Sequence, residues 1–170
     1  MGFRIAAAGV AGVVVIVVFF RLYPPAGAVF RPLFPVGKTP QISFNSLTRS
    51  GRPNQFLVCP QTLCGAAADA RAGVYPLTAG GLRDRLFTLF ADEPQLDIMR
   101  EDAANNQFEL VQRSPIMRFP DVITVRIIPL GPARSTLAIY SRSVYGYSDL
   151  GVNRARVTGW LKRLEPALQQ

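Results

Sequence analysis

Polarity divides the chain into three stretches. The first, IAAAGVAGVVVIVVFF at positions 5–20, is uncharged and continuous, and it reaches Leu22 if Arg21 extends its head group to the interface. It is at the short end for a spanning helix, but residues 1–3 and Tyr23 lengthen its apolar body, and Pro24 and Pro25 stop it. The pattern predicts a single transmembrane anchor over residues 1–22. A cleaved signal peptide is the competing reading, with AGA at 26–28 as its processing site; Arg21 and the two prolines just before that site argue against it. Within the run, Ala7 with Ala11 and Ala8 with Gly12 form small-xxx-small pairs, which either let a partner helix approach closely or are alanine-rich filler.

The second stretch, residues 23–52, carries a proline every few positions among scattered aromatics. It reads as an extended tether that lies on something rather than a free linker, and Phe30, Leu33 and Phe34 suit a membrane surface or a partner.

From 53 to 170 the pattern is that of a folded domain. QFLVCP is a short strand; a helix follows, capped by Thr78, with Leu82, Leu86, Leu89 and Phe90 at helical spacing and Pro94 at its end. Four strands come next, at 95–102, 107–114, 121–130 and 135–143, joined by short turns such as AANN and GPAR. The last helix runs from about Leu150 to Leu168. Consecutive strands with short connections pair antiparallel, and two amphipathic helices cover one face of such a sheet. The expected fold is α+β: an antiparallel sheet of about a four-stranded meander plus one strand, covered on one face by two helices. That geometry permits an apolar pocket between helix and sheet.

The block YSRSVYGYSDLGVNRARVTGWL, from Tyr140, joins the last strand to the last helix and concentrates the polar chemistry. Leu137, Ile139, Ser141 and Ser143 point to one face of the strand, and Ala138, Tyr140 and Arg142 to the other. Ser148 or Asp149 caps the helix, and a carboxylate there competes with any anion framed by Gly146 and Gly151. Leu150, Val157, Leu161, Leu164 and Leu168 make the apolar helix face beside Trp160, and Asn153 falls on it, to be met by Ser141, Ser143 or turn carbonyls. Arg142 and Asp149 are placed to pair across the turn. The same residues serve either a buried polar lock at the corner or a ligand site. A second cluster, Arg113, Ser114, Arg118 and Asp121, is either an ordinary charged turn or a pocket rim shared with Arg142.

Composition then narrows the functions. The formal net charge of +8 would suit nucleic acid if it were clustered, but the only lysines are Lys38 and Lys162 and the arginines are scattered, so no nucleic-acid partner is expected. Dispersed arginine beside an anchor suits an anionic bilayer surface. The chain has no histidine, which removes the commonest general base and most zinc, haem and copper sites. GYSDLG is not a nucleophile elbow, and no phosphate or dinucleotide motif is present. No cofactor or metal is expected, and no enzyme; one would have to use Asp149 or Tyr145 as acid or base. Cys59 and Cys64 lack the C-x-x-C spacing of redox motifs; in an oxidising compartment they form a small-loop disulfide, and otherwise they are two partly buried thiols.

The segments RPNQFLV, RSPIMRFPDVITVRI and STLAIYSRSVYGYSDLGVNRARVTGWL resemble the domain of unknown function 1499 family of proteobacteria and plastids, with its pattern S-R-S-x-x-G-x-S-D-L-G-x-N-R-x-R. The resemblance covers about residues 53–164. It implies the domain and its topology, an exported protein that begins with one membrane span, and no catalytic role for Arg142, Ser143, Asp149 or Asn153. Flanking charges, Arg4 before the span against Arg21, Arg31 and Lys38 after it, oppose that orientation, whereas the cysteine pair agrees with it. The expectation is a non-catalytic, single-pass protein of the inner membrane with a periplasmic domain. It would serve as an accessory or assembly subunit of a larger complex, for instance an energy-transducing one, meeting an integral membrane partner through the anchor and tether. The alternative is a binding module for a lipid-like ligand, with Arg142 and Arg113 at the pocket rim.

Overall fold

The computed structural model describes residues 34–61 and 63–165. The predicted anchor with Ala7, Ala8, Ala11 and Gly12, the tether residues Phe30 and Leu33, and Leu168 lie outside them. No helix among the described residues is long and apolar enough to cross a membrane. Phe34, Pro35 and the loop tip Pro115–Arg118 belong to one compact unit, in which Arg118 adopts a φ of 59°. The described residues from Val36 to Ser114 and from Phe119 to Glu165 belong to the other, which is the domain described below.

Among the described residues its sheet has seven strands: β1 (Gln55–Cys59), β2 (Ala70–Arg71), β3 (Val74–Tyr75), β4 (Leu96–Asp102), β5 (Gln107–Arg113), β6 (Pro120–Gly131) and β7 (Arg134–Ser143). The strand order is β2-β1-β7-β6-β5-β4. The meander β4 to β7 pairs antiparallel throughout, as short connections require, and β1 pairs antiparallel with β7. Two short strands depart from the expected five. β2 pairs parallel with β1, which makes the sheet mixed, and β3 shares an edge of β7 with β1. Each is two residues long, too short for an alternating pattern to register in sequence.

The helices are α1 (Ala79–Ala91) and α2 (Val152–Leu164). Thr78 caps α1, its hydroxyl accepting from the Gly81 amide at 2.9 Å, and Leu82, Leu86, Leu89 and Phe90 are buried against the sheet. Helix α2 contributes Val157, Trp160 and Leu164 to the same core. The Trp160 indole tilts onto Phe90 with centroids 5.1 Å apart, and Phe87 and Phe90 meet Phe108 of β5 edge to face.

The second face of the sheet is covered too, where helices on one face were the expectation. Phe44 and Leu47, in a turn of the proline-rich stretch, are buried with Leu57, Cys59, Ala138 and Tyr140, and Ile42, Leu63 and Cys64 pack against them. Cys59 and Cys64 are joined in a disulfide, so the loop after β1 is tied to the strand it leaves. The fit is close: a Cβ on Gly65 would come within 2.5 Å of the Asn45 carbonyl oxygen. Burial on both faces explains why β7 reads as the run STLAIY rather than a clean alternation.

Candidate functional site

Register places the polar chemistry. Gln112 stands opposite Asp121, and Asp121 opposite Ser143, while the Ser143 amide donates to the Asn54 carbonyl at 2.9 Å. Asn54, Ser143, Asp121 and Gln112 therefore form one cross-strand row at the end of the sheet. The next row inward, Phe56, Ser141, Ile123 and Leu110, is largely apolar. The polar row lies beneath the first turns of α2, which lower Asn153 and Arg156 onto it.

Asn153 is fully buried. Its amide nitrogen donates to Ser143 Oγ at 3.0 Å, Asp149 Oδ2 at 2.8 Å and the Asn54 carbonyl at 3.2 Å, and its Oδ1 accepts from the Ser141 hydroxyl. Arg156 engages every part of its guanidinium. Nη2 pairs with Asp121 Oδ2 at 2.6 Å, Nη1 donates to Ser141 Oγ at 3.0 Å and Asn153 Oδ1 at 2.7 Å, and Nε donates to Gln112 Oε1. The Ser143 hydroxyl closes the circuit on Asp121 Oδ1 at 2.6 Å. The Arg156 and Asp121 side chains are 7% and 13% exposed, so this is a nearly dry ion pair with its remaining hydrogen-bonding capacity filled.

The start of α2 departs from the expected one. The helix begins at Val152 after Gly151, whose φ is 85°, and Leu150 stands outside it at φ 54° with 95% of its surface exposed. Asp149 still caps, accepting from the Gly151 amide at 3.0 Å and the Asn153 amide at 2.7 Å. Partial burial pushes its carboxyl upward, but the hydrogen bonds from Asn153 and Gly151 outweigh that and hold it below the usual carboxylate range. Leu150 thus leaves the apolar face predicted for it, because the αL residues at 150 and 151 turn the chain before the helix starts.

Arg142 does not pair with Asp149. It alternates to the other sheet face, where its guanidinium lies 5.2 Å from the Tyr140 ring centre and Nη1 is buried without a hydrogen-bond partner. Burial lowers its pKa, opposed by the field of Tyr140 and of Glu109. Of the second predicted cluster, Asp121 joins the network, and Ser114 closes the loop base, its Oγ accepting from the Phe119 amide at 3.0 Å. Arg113 follows Gln112 and so faces away from the network, and Arg118 sits in the loop tip that belongs to the other unit.

A cleft of about 290 Å³ opens over this corner. Its polar wall includes Asp121, Ser143, Ser148 and Asp149, and its apolar wall Phe119, Tyr145, Leu150 and Val152. The apolar members are substantially exposed, as is Tyr147, which lies between Tyr145 and Leu150 in sequence, at 70%. Arg142 does not line it. Among the described residues no group of His, Cys, Asp and Glu side chains could hold a metal ion.

Sequence reasoning misses the centre of the network, Arg156, and its outer partners Asn54 and Gln112. Helical spacing carries a signal for Arg156, which follows Asn153 by three positions and precedes Trp160 by four, and so shares their face. Asn54 and Gln112 have no such signal, since their part depends on strand register.

The architecture defines a class: an α+β domain with two helices on one face of a mixed sheet and, on the other, an extended segment around Phe44 and Leu47 beside a disulfide-tied loop. Residues 48–164 match the model of a family described as protein of unknown function (DUF1499), and the chain belongs to that family. No curated protein matches it.

Proposed function

We propose that this chain is a non-catalytic, membrane-anchored domain on the periplasmic side of the inner membrane, and that it serves as an accessory or assembly subunit of a larger membrane complex. The observation that carries this reading is Leu150, a leucine in the left-handed region with 95% of its surface exposed, at the rim of a cleft of exposed aromatic and aliphatic side chains. A non-glycine residue there costs on the order of 1 kcal/mol, and exposing its whole side chain recovers nothing in the isolated chain. Exposed apolar side chains around a concave surface are what a docking site needs. The buried network beneath acts as the frame for that surface, since its groups are spent on one another.

A lipid-like ligand between helix and sheet is served less well. The side chains that meet there, from Leu82 and Leu86 to Leu137 and Ile139, are fully buried against one another, and the cleft opens at the sheet's end instead. Extraction in mild detergent at native abundance tests the docking reading. The native chain is expected to migrate with a larger assembly, and Leu150→Ser to release it; a native chain that migrates only as a free monomer overturns the proposal.

A further inference from the structure

Independently of the docking reading, we propose that the Cys59–Cys64 disulfide is a thiol-exchange site, open to a dithiol reductant in the folded protein, and that its redox state latches residues 44–49 onto the sheet. Location is the first argument. Neither cysteine belongs to the core under the helices; both sit with Phe44 and Leu47 on the opposite face. The bridge joins residues only 5 apart, and so short a loop adds less to the stability of a whole domain than a long one does. What the loop holds is the segment that precedes β1. The Gly65 amide donates to the Phe44 carbonyl at 2.9 Å, and Leu63, Cys64 and Ala66 pack against the cluster of Phe44 and Leu47. Arg49 donates to the Ala67 carbonyl at 2.9 Å and pairs with Asp69 at 2.8 Å. Residues 44–49 are thus gripped by the sheet and by the disulfide loop together.

Access is the second argument. A cleft of about 530 Å³ opens beside the bridge, lined by both cysteines together with Asp69 and Arg71. Cys59 is 3% exposed whereas Cys64 is only half-buried, so an incoming thiolate meets Cys64 Sγ. Arg71 stands opposite Cys59 in the β1–β2 register, and Asp69 is already matched by Arg49. The positive charge left in the cleft favours the Cys59 thiolate as leaving group. In the exchange a bond forms to Cys64 Sγ as the bridge breaks, and Cys59 leaves as a thiolate and takes up a proton. The second thiol of the reductant then displaces Cys64, which is protonated in turn. The two cysteines gain two electrons and two protons, and the dithiol ends as its own disulfide.

The test treats the full chain in detergent micelles with dithiothreitol and follows hydrogen exchange. The bridge is expected to be reduced without denaturant. The Leu47 and Gly65 amides, both bonded to the Phe44 carbonyl, should then exchange about thirtyfold faster, while those of β6, β7 and α2 keep their native rates. The double variant Cys59→Ser with Cys64→Ser should show the same fast segment with no reductant present. Of the single variants, Cys59→Ser should leave a Cys64 thiol that iodoacetamide alkylates readily, and Cys64→Ser a Cys59 thiol that reacts about tenfold more slowly. Gly65→Ala should loosen residues 44–49 with the bridge intact, because its Cβ meets the Asn45 carbonyl oxygen. A bridge that yields to dithiothreitol only once urea unfolds the domain overturns the inference. So does exchange of Leu47 and Gly65 that ignores reduction, or the reverse ranking of the two thiols. Faster exchange spread over β6, β7 and α2 overturns it as well, since the bridge would then staple the whole fold.

Discussion

Two arginines flank the same strand-to-helix corner, one on β7 and one on α2, and teach opposite lessons. Arg156, beneath α2, has an ionic partner in Asp121 and acceptors for each of its nitrogens. Arg142, on the other face of β7, lies over the Tyr140 ring with Nη1 buried and unmatched. The first belongs to a filled network in which each group depends on the others. The second tolerates an incomplete environment, so its removal leaves little behind that needs it. What separates them is the number of partners stranded when they are deleted, not charge or depth.

Removing Arg156 is therefore expected to have the largest effect. Arg156→Met strands the nearly buried Asp121 carboxylate and should cost about 3–5 kcal/mol in urea unfolding of the full chain. Asn153→Ala should follow at about 2–3 kcal/mol, since it leaves the Asn54 carbonyl and two serine hydroxyls short of partners but strands no charge. Arg142→Met, the matched change on the other face, should stay within about 1 kcal/mol; a loss as large as that of Arg156→Met would erase the contrast between them.

Leu150→Gly should be within about 1 kcal/mol of the native chain and on the stable side, because glycine accepts φ 54° freely, while docking is lost. The smallest effect is titration of Asp149. Its folded pKa lies below the ordinary carboxylate value, so its contribution is complete at neutral pH, above the unfolded pKa, and fades as pH falls through the acidic range. The stability gap between the native chain and Asp149→Asn should accordingly narrow with acidification, and a gap constant down to strongly acidic pH would contradict the cap.

The faces that the polar side chains take are legible in the sequence, although sequence reasoning misses Arg156 itself. The alternation of β7 sends Ser141 and Ser143 to one face and Arg142 to the other, and the helical stripe through Val157 sends Asn153 to the core; both hold. The pairing of Arg142 with Asp149 does not, although the alternation itself argues against it. The expected position of Leu150 fails for a local reason, two consecutive left-handed residues that end the turn and start the helix late. Neither is encoded as a hydrophobic pattern.

Local sequence determined the elements it could signal by period and by punctuation: the Thr78 cap, the α1 stripe, the meander and the family's polar block. Only the tertiary structure decided that Gln112, Asp121, Ser143 and Asn54 form one row, that Arg156 closes over it, and that Phe44 and Leu47 cover the opposite face. The reason is physical. Period and capping are properties of neighbours along the chain, whereas register and the cover of a sheet face are set by contacts between segments far apart in sequence, where burial and hydrogen-bond satisfaction across the whole fold select one arrangement.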